Sequence, residues 1–178
     1  MKFEEEPNVD IWEIIDNIEE AIEGPLNYNQ IWGVVDKLNK VEKTAQMLIE
    51  SKNFTLAAEI YFYLVEGCVN AYNRGADDSS GTLDSLTWDC ITNFNTCMAQ
   101  IQDGEFKDEY LHNVLELYFE DVIGLGVEKM FENIVDRDSI KEIKEAFNKG
   151  ISDSTSNYVH EKIAVILKEL NKILLRFH

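Results

Sequence analysis

Every long segment of this chain returns its apolar residues at intervals of three and four, and none alternates apolar and polar residues over a strand's length. That period marks one face of an α-helix, which buries its apolar side only against other helices. Ile11, Ile14, Ile15, Ile18 and Ile22 define a first helix over Val9–Glu23, stopped by Gly24-Pro25. A second runs from about Asn29 to Ser51 on Ile31, Val34, Val35, Leu38, Val41, Ala45, Leu48 and Ile49. Lys52-Asn53 interrupts, and Phe54–Asn73 follows. Its Ala57, Ile60, Tyr61, Leu64, Val65, Cys68 and Tyr72 span so wide a face that burial on more than one side is expected.

Arg74–Thr82 is the clearest loop, with two glycines and no large apolar residue. Ser80 or Thr82 is expected to cap the helix that carries Leu83, Leu86, Ile91, Phe94, Met98 and Ile101. Asp103-Gly104 ends it. Tyr110, Leu111, Val114, Leu117, Tyr118 and Val122 mark the next helix, which Gly124 and Gly126 break. Val127–Val135 is short and apolar. Asp138 or Ser139 is placed to cap Ile140–Asn148, and Ser152 or Ser154 to start a last helix through Ile163, Ile166, Leu170 and Ile173. The prediction is one all-α domain over residues 1–178, with about seven to eight helices in antiparallel pairs stacked as an array or bundle. It divides into an acidic N-terminal helix (1–24), a helical core (27–121) and C-terminal helices (127–178). A chain of 178 residues can bury such a core without disulfide or metal staples.

Charge narrows the function. Sixteen Lys and Arg face 34 Asp and Glu, a net charge of −18. Nucleic-acid binding draws on phosphate neutralisation by cations, so direct DNA or RNA binding is excluded from the reading. The acids crowd into Met1–Gln30, whereas Ser139–His178 carries seven cations against five acids. Those two ends can attract each other within one fold or between two copies. No apolar stretch reaches the ~20 residues of a membrane span. Cys68, Cys90 and Cys97 are odd in number and form no CxxC, and the acidic N-terminus lacks a signal peptide's basic region. The expectation is a reducing cytoplasm, with the thiols as small apolar core residues.

Ala45 and Leu48 on one helix, Phe54 at the turn, and Ala57 and Tyr61 on the next are similar to one tetratricopeptide repeat. Lys52 stands where that family has its turn glycine, Leu64 where it has a small residue, and no second copy follows at 34 residues. The order over Asn27–Asp121, with Ala71-Tyr72 and then Asp77-Asp78-Ser79-Ser80-Gly81, resembles the helical region that accompanies SWIM-type zinc fingers. That resemblance implies a tetratricopeptide-like array for protein contacts. The finger's CxC and CxH are absent here, so its zinc or nucleic-acid role does not carry over.

Three chemical readings compete with protein binding. With Gly81 as the sixth residue of a calcium loop, Ala76 would be first and Thr87 twelfth, so the EF-hand template fails. A looser metal-binding or enzymatic bundle would combine Asp77, Asp78, Glu109 and His112, but di-iron bundles need two ExxH units and this chain has one. Cys97 with His112 or His160 would need proximity that no local motif supplies. There is no GxGxxG, Walker or GxSxG pattern, and no cofactor is expected. Trp12, Trp32 and Trp88 are expected as core anchors, and Phe62 or Tyr63 as a groove residue. The reading is therefore a protein–protein interaction module, an adaptor or assembly subunit. Its partner is a basic protein or a second copy, and its contact residues are Tyr63, Arg74, Asp77 and Asp78.

Overall fold

The computed structural model describes residues 9–153 and 156–177, with the side chains of 150–153 outside that description. The described residues are all-helical. Their order is α1 (Ile11–Glu23), α2 (Tyr28–Glu50), α3 (Phe54–Asn73), α4 (Thr82–Gln100), α5 (Gly104–Glu120), a 3-10 segment (Val127–Asn133), α6 (Arg137–Asp153) and α7 (Asn157–Leu174), with a last 3-10 turn at Leu175–Phe177. Glu4, Glu5 and Glu6 of the expected acidic helix, and Ser154 as a cap, lie outside the described residues.

Short connections fold consecutive helices back on each other, and the array has two layers. Helices α1, α3 and α5 share one layer and one direction. Ile18 sits against Gly67 and Arg74 bonds the Ile22 carbonyl, while Asn73 reaches the Glu120 carbonyl at the far side. Helices α2 and α4 form the other layer and also touch each other. The Val127–Asn133 segment wedges between α4, α5 and α7, and α6 lies beyond, on α7.

Helix α3 is the centre, in contact with α1, α2, α4 and α5. Ile60, Tyr61, Leu64, Val65, Cys68, Val69 and Ala71 are fully buried. At ~1.5–3 kcal/mol for each large apolar side chain, this helix supplies much of the driving force for folding. Helices α2 and α3 pack together, and Ala45 and Leu48 of α2 and Ala57 and Tyr61 of α3 all lie in the core with no exposed surface. The Tyr61 hydroxyl donates to buried Glu42 at 3.0 Å, and Gln46 donates to the same oxygen at 2.7 Å, so the carboxylate is not left unsatisfied. Between the two helices Lys52 takes a left-handed φ of 64°.

Several boundaries differ from the sequence reading for local physical reasons. Neither Ser80 nor Thr82 caps α4: the N-cap is Gly81, and the Asp78 carboxylate reaches in from outside. Asp103 opens α5 rather than closing α4, accepting from the Glu105 and Phe106 amides. Asp136 and Ser139 exchange bonds, each side chain accepting from the other's backbone N–H at 2.8 Å, so α6 starts at Arg137. Helix α7 begins after Ser156, because α6 runs through Ser152.

The tryptophans are not core anchors. Trp12, Trp32 and Trp88 are 73%, 54% and 44% exposed. Each follows its helix's register: Trp12 lies opposite Ile14 and Ile18, and Trp32 turns away beside buried Ile31. Trp88 lays its ring on Gly126, where a Cβ would meet the indole at 3.0 Å.

Gly67 marks the closest approach in the α1–α3 layer. A Cβ there would sit 2.5 Å from the Ile18 Cγ2 methyl, which the β-branch holds near the backbone. In an exposed helix Ala would gain ~1 kcal/mol over Gly. Here Gly67→Ala should instead destabilise the protein by ~1–3 kcal/mol, read as a lower urea midpoint. Adding Ile18→Ala should recover part of what the collision costs.

Candidate functional site

Nearly every residue of α3 is apolar, yet Glu59, Tyr63, Glu66 and Asn70 recur at helical spacing along it. All four are half-buried. They form a half-buried stripe of α3 on the side between α1 and α5, the floor of a trough whose Asn70 end forms a cavity lined by Glu19, Ile22, Glu23, Asn73 and Arg74. Glu19 stands on the α1 side, and Glu109 and Glu120 on the α5 side, close enough to act on the floor's charges.

The electrostatics of this trough are uncompensated. Burial pushes the Glu59 carboxyl up, Glu109 pushes it further, and the nearby Tyr110 hydroxyl pulls part of the way back. Burial likewise raises Glu66, with Glu120 and Glu19 adding to it. Tyr63 lies one turn from each glutamate, and burial followed by Glu59, Glu66 and Glu109 raises its hydroxyl. None of these carboxylates joins a cation in an ion pair among the described residues. The wall beside Tyr63 is aromatic: Tyr110 packs edge-on against Phe62 at 5.4 Å and lies 4.7 Å from Phe106. Phe62 itself is core, 4% exposed, so Tyr63 alone of that pair reaches the trough.

Two adjacent residues close one end. Asn73 donates to the Glu120 carbonyl of α5 at 2.8 Å. Arg74 donates to the Ile22 carbonyl and, at 2.8 Å, to the Glu23 carbonyl, meeting the orphan acceptors at the end of α1. These clamps fix both walls to the floor. Arg74 is thus beside the trough, with its guanidinium engaged within the chain.

Asp77 and Asp78 belong to the joint between α3 and α4. Asp77 accepts from the Ser79 amide at 3.2 Å and from the Ser79 hydroxyl, while its own N–H donates to Leu26 at 2.8 Å. Asp78 accepts from the Tyr72 hydroxyl at 2.7 Å and from the Asp84 and Leu83 amides at 2.9 and 3.1 Å. Burial raises this carboxyl, but the Asp84 amide, Tyr72, the Leu83 amide and Ser80 outweigh it, and the net shift is downward. The Asp-Asp-Ser-Ser-Gly string therefore has a structural use: it caps α4 and ties α4 to the end of α3.

The structure brings Tyr63 to the trough and Arg74 to its end, and keeps the two aspartates in the adjoining loop. It does not gather the acids of the metal-binding reading. Glu109 neighbours Glu59, while Asp78 bonds Tyr72, ~20 Å further along α3 at 1.5 Å per residue. Among the described residues no group of three His, Cys, Asp or Glu side chains is placed to hold a metal ion. His112 bonds the Asp108 carbonyl of its own helix at 2.8 Å. Burial raises the Cys97 thiol to about 11 and the Cys68 thiol to about 12, so neither is a ready thiolate at neutral pH. Sequence reasoning missed Glu59, Glu66 and the α5 wall. The available signal was two lone charges flanking Tyr63 in an otherwise apolar helix, which mark where that helix stays open.

No family model matches the chain, and no curated protein or solved structure matches it.

Two measurements test this account. Asp78→Ala leaves two helix-start amides and Tyr72 without their acceptor and should cost ~2–3 kcal/mol, whereas Asp77→Ala should cost ~1 kcal/mol or less, by urea denaturation. Because the folded-state carboxyl of Asp78 is depressed, its contribution is present above the ordinary value of ~4 and lost as pH falls through the folded value, so the deficit should shrink in acid. Glu59 and Glu66 carry the opposite sign. Their raised carboxyls cost stability above the folded value, and the cost vanishes below the ordinary ~4.3. Glu59→Gln with Glu66→Gln should raise the melting temperature at pH ~7 and flatten its dependence down to pH ~4.5.

Proposed function

We propose that this chain is a protein–protein interaction module, an adaptor or assembly subunit, whose α1–α3–α5 trough docks a basic segment of a partner protein. The observation that carries this reading is the half-buried stripe of α3. Half-buried carboxylates that repel one another weaken the fold on their own, and a cationic partner laid along them would relieve that cost. Tyr63 offers an amphipathic aromatic surface at the middle of the floor, the kind of side chain that anchors interfaces. Arg74 shapes the closed end, and Asp77 stays exposed in the adjoining loop. Helical partners enter such troughs by laying one face along the floor, with charge complementarity setting orientation and choice.

Two features support a tetratricopeptide-like character for the α2–α3 pair. Ala45 and Ala57 permit close approach, and Lys52 holds the left-handed turn where that family uses glycine. The resemblance to the region beside SWIM-type fingers points to the same protein-binding role without the finger's ligands. Three buried, unpaired thiols suit a reducing compartment such as the cytoplasm. Among the described residues no helix is long and apolar enough to cross a membrane.

The test is affinity capture from native lysate with the intact protein as bait. A partner held in stoichiometric amount should be weakened ~10-fold or more by Tyr63→Ala and by Glu59→Lys with Glu66→Lys. It should be retained by Asp77→Ala and by Lys141→Glu, which lies on α6. Circular dichroism checks that each bait is folded. Undiminished capture by the folded trough variants overturns the assignment of the trough.

A further inference from the structure

At the opposite edge of the array lies a groove with a line of cations along it. Helix α6 is held mainly by α7, and the two run antiparallel: Lys144 donates to the Asn171 side chain and Arg137 to the Phe177 carbonyl, both at 2.7 Å. Between them runs a groove of about 510 Å³ floored by Ile140 and Leu174. Arg137, Lys141 and Lys144 rim it at positions i, i+4 and i+7, one line along the helix, with Asp138 and Glu145 one residue on from Arg137 and Lys144 along its flank. Among the described residues none of these three cations forms an ion pair. Leu175, next in the chain after the groove's Leu174, is 72% exposed.

We propose that this groove seats helix α1 of a second copy of the chain. The outer face of α1 carries the complement at the same spacing: Trp12, Asp16 and Glu19 at i, i+4 and i+7, with Trp12 73% exposed. Glu13, Asp16, Glu19, Glu20 and Glu23 form no ion pair among the described residues. With the two helices running in one direction, Asp16 meets Lys141 and Glu19 meets Lys144. The Trp12 indole then meets the Arg137 guanidinium, a cation–π pairing. The opposite direction would set Glu13 and Glu20 on the flank that carries Asp138 and Glu145, because antiparallel helices bring like flanks together. Two copies at −18 repel as whole bodies. At ~0.1 M salt the screening length is ~10 Å, so groups at the contact decide the outcome. Each copy holds both halves of the contact, so the assembly is head-to-tail unless two contacts close on each other. This inference shares Glu19 with the wall of the α3 trough but has a different partner and groove, does not rest on that reading, and is tested at residues outside the trough.

Sedimentation velocity over a wide concentration range tests it. The weight-average sedimentation coefficient should rise with concentration at ~0.1 M salt, and the rise should be lost at ~1 M. Asp16→Lys and Lys141→Glu, both at exposed positions, should each weaken association ~10-fold or more. The double variant, in which every copy carries the exchanged pair, should regain it. A wild-type chain that stays monomeric throughout overturns the proposal. So does association indifferent to both single variants, or a double variant that fails to recover.

Discussion

The packing of α1 against α3 at Gly67 is the constraint on which the rest of the arrangement depends. With no Cβ at that position, the Ile18 methyl comes within a distance that any other residue would refuse. Helix α1 therefore lies flush on α3, and α2 and α4 take the far side. Helix α5 joins the α1 layer at the opposite flank. Once α3 is covered by four neighbours, its apolar bulk is out of water and only one narrow stripe remains. The trough is thus the residue of the packing, the part of a central helix its neighbours only half cover. It is also where α3 places its glutamates.

Polar side chains then fasten the ends of helices that apolar contacts alone would leave free to slide. Arg74 and Asn73 bind carbonyls on α1 and α5. Asp78 satisfies the start of α4. Fully buried Asp121 does the same after α5, accepting from the Gly124 and Leu125 amides at 2.9 and 2.7 Å. Lys162 of α7 caps the Asp121 carbonyl at 2.8 Å and lies 3.9 Å above the Tyr118 ring. Glu169 takes Lys129 and Lys172 at 2.8 and 3.0 Å, joining α7 to the 3-10 segment. Such bonds are directional, so they fix register where hydrophobic contact fixes only proximity.

The stripe on α3 and these joints differ in one electrical respect. At Asp78, Asp136 and Glu169, donors and cations outweigh burial and hold the carboxyls down. At Glu59 and Glu66 burial and neighbouring acids prevail and push the carboxyls up. The first group stabilises the fold at neutral pH, and the second opposes it. A chain with so few cations near its N-terminal half has no internal means of answering those charges.

The sequence by itself determined the helices, because their period depends only on spacing along one chain. The helix from Phe54 to about Asn73 was legible, and the wide apolar face of that segment already implied burial on more than one side. Its net charge of −18 likewise follows from composition alone and disfavours polyanions whatever the fold. Tertiary structure decided the rest. Trp12, Trp32 and Trp88 were legible as large and apolar, but only register against neighbouring helices decides which face turns outward. Asp77-Asp78 was legible as a loop; that Asp78 caps α4 through its side chain depends on a turn centred on left-handed Gly81. Glu59 and Glu66 were visible as two charges in an apolar run. That Glu19, Glu109 and Glu120 from two other helices stand against them was not visible, because proximity between distant segments is a property of packing and leaves no periodicity in the chain.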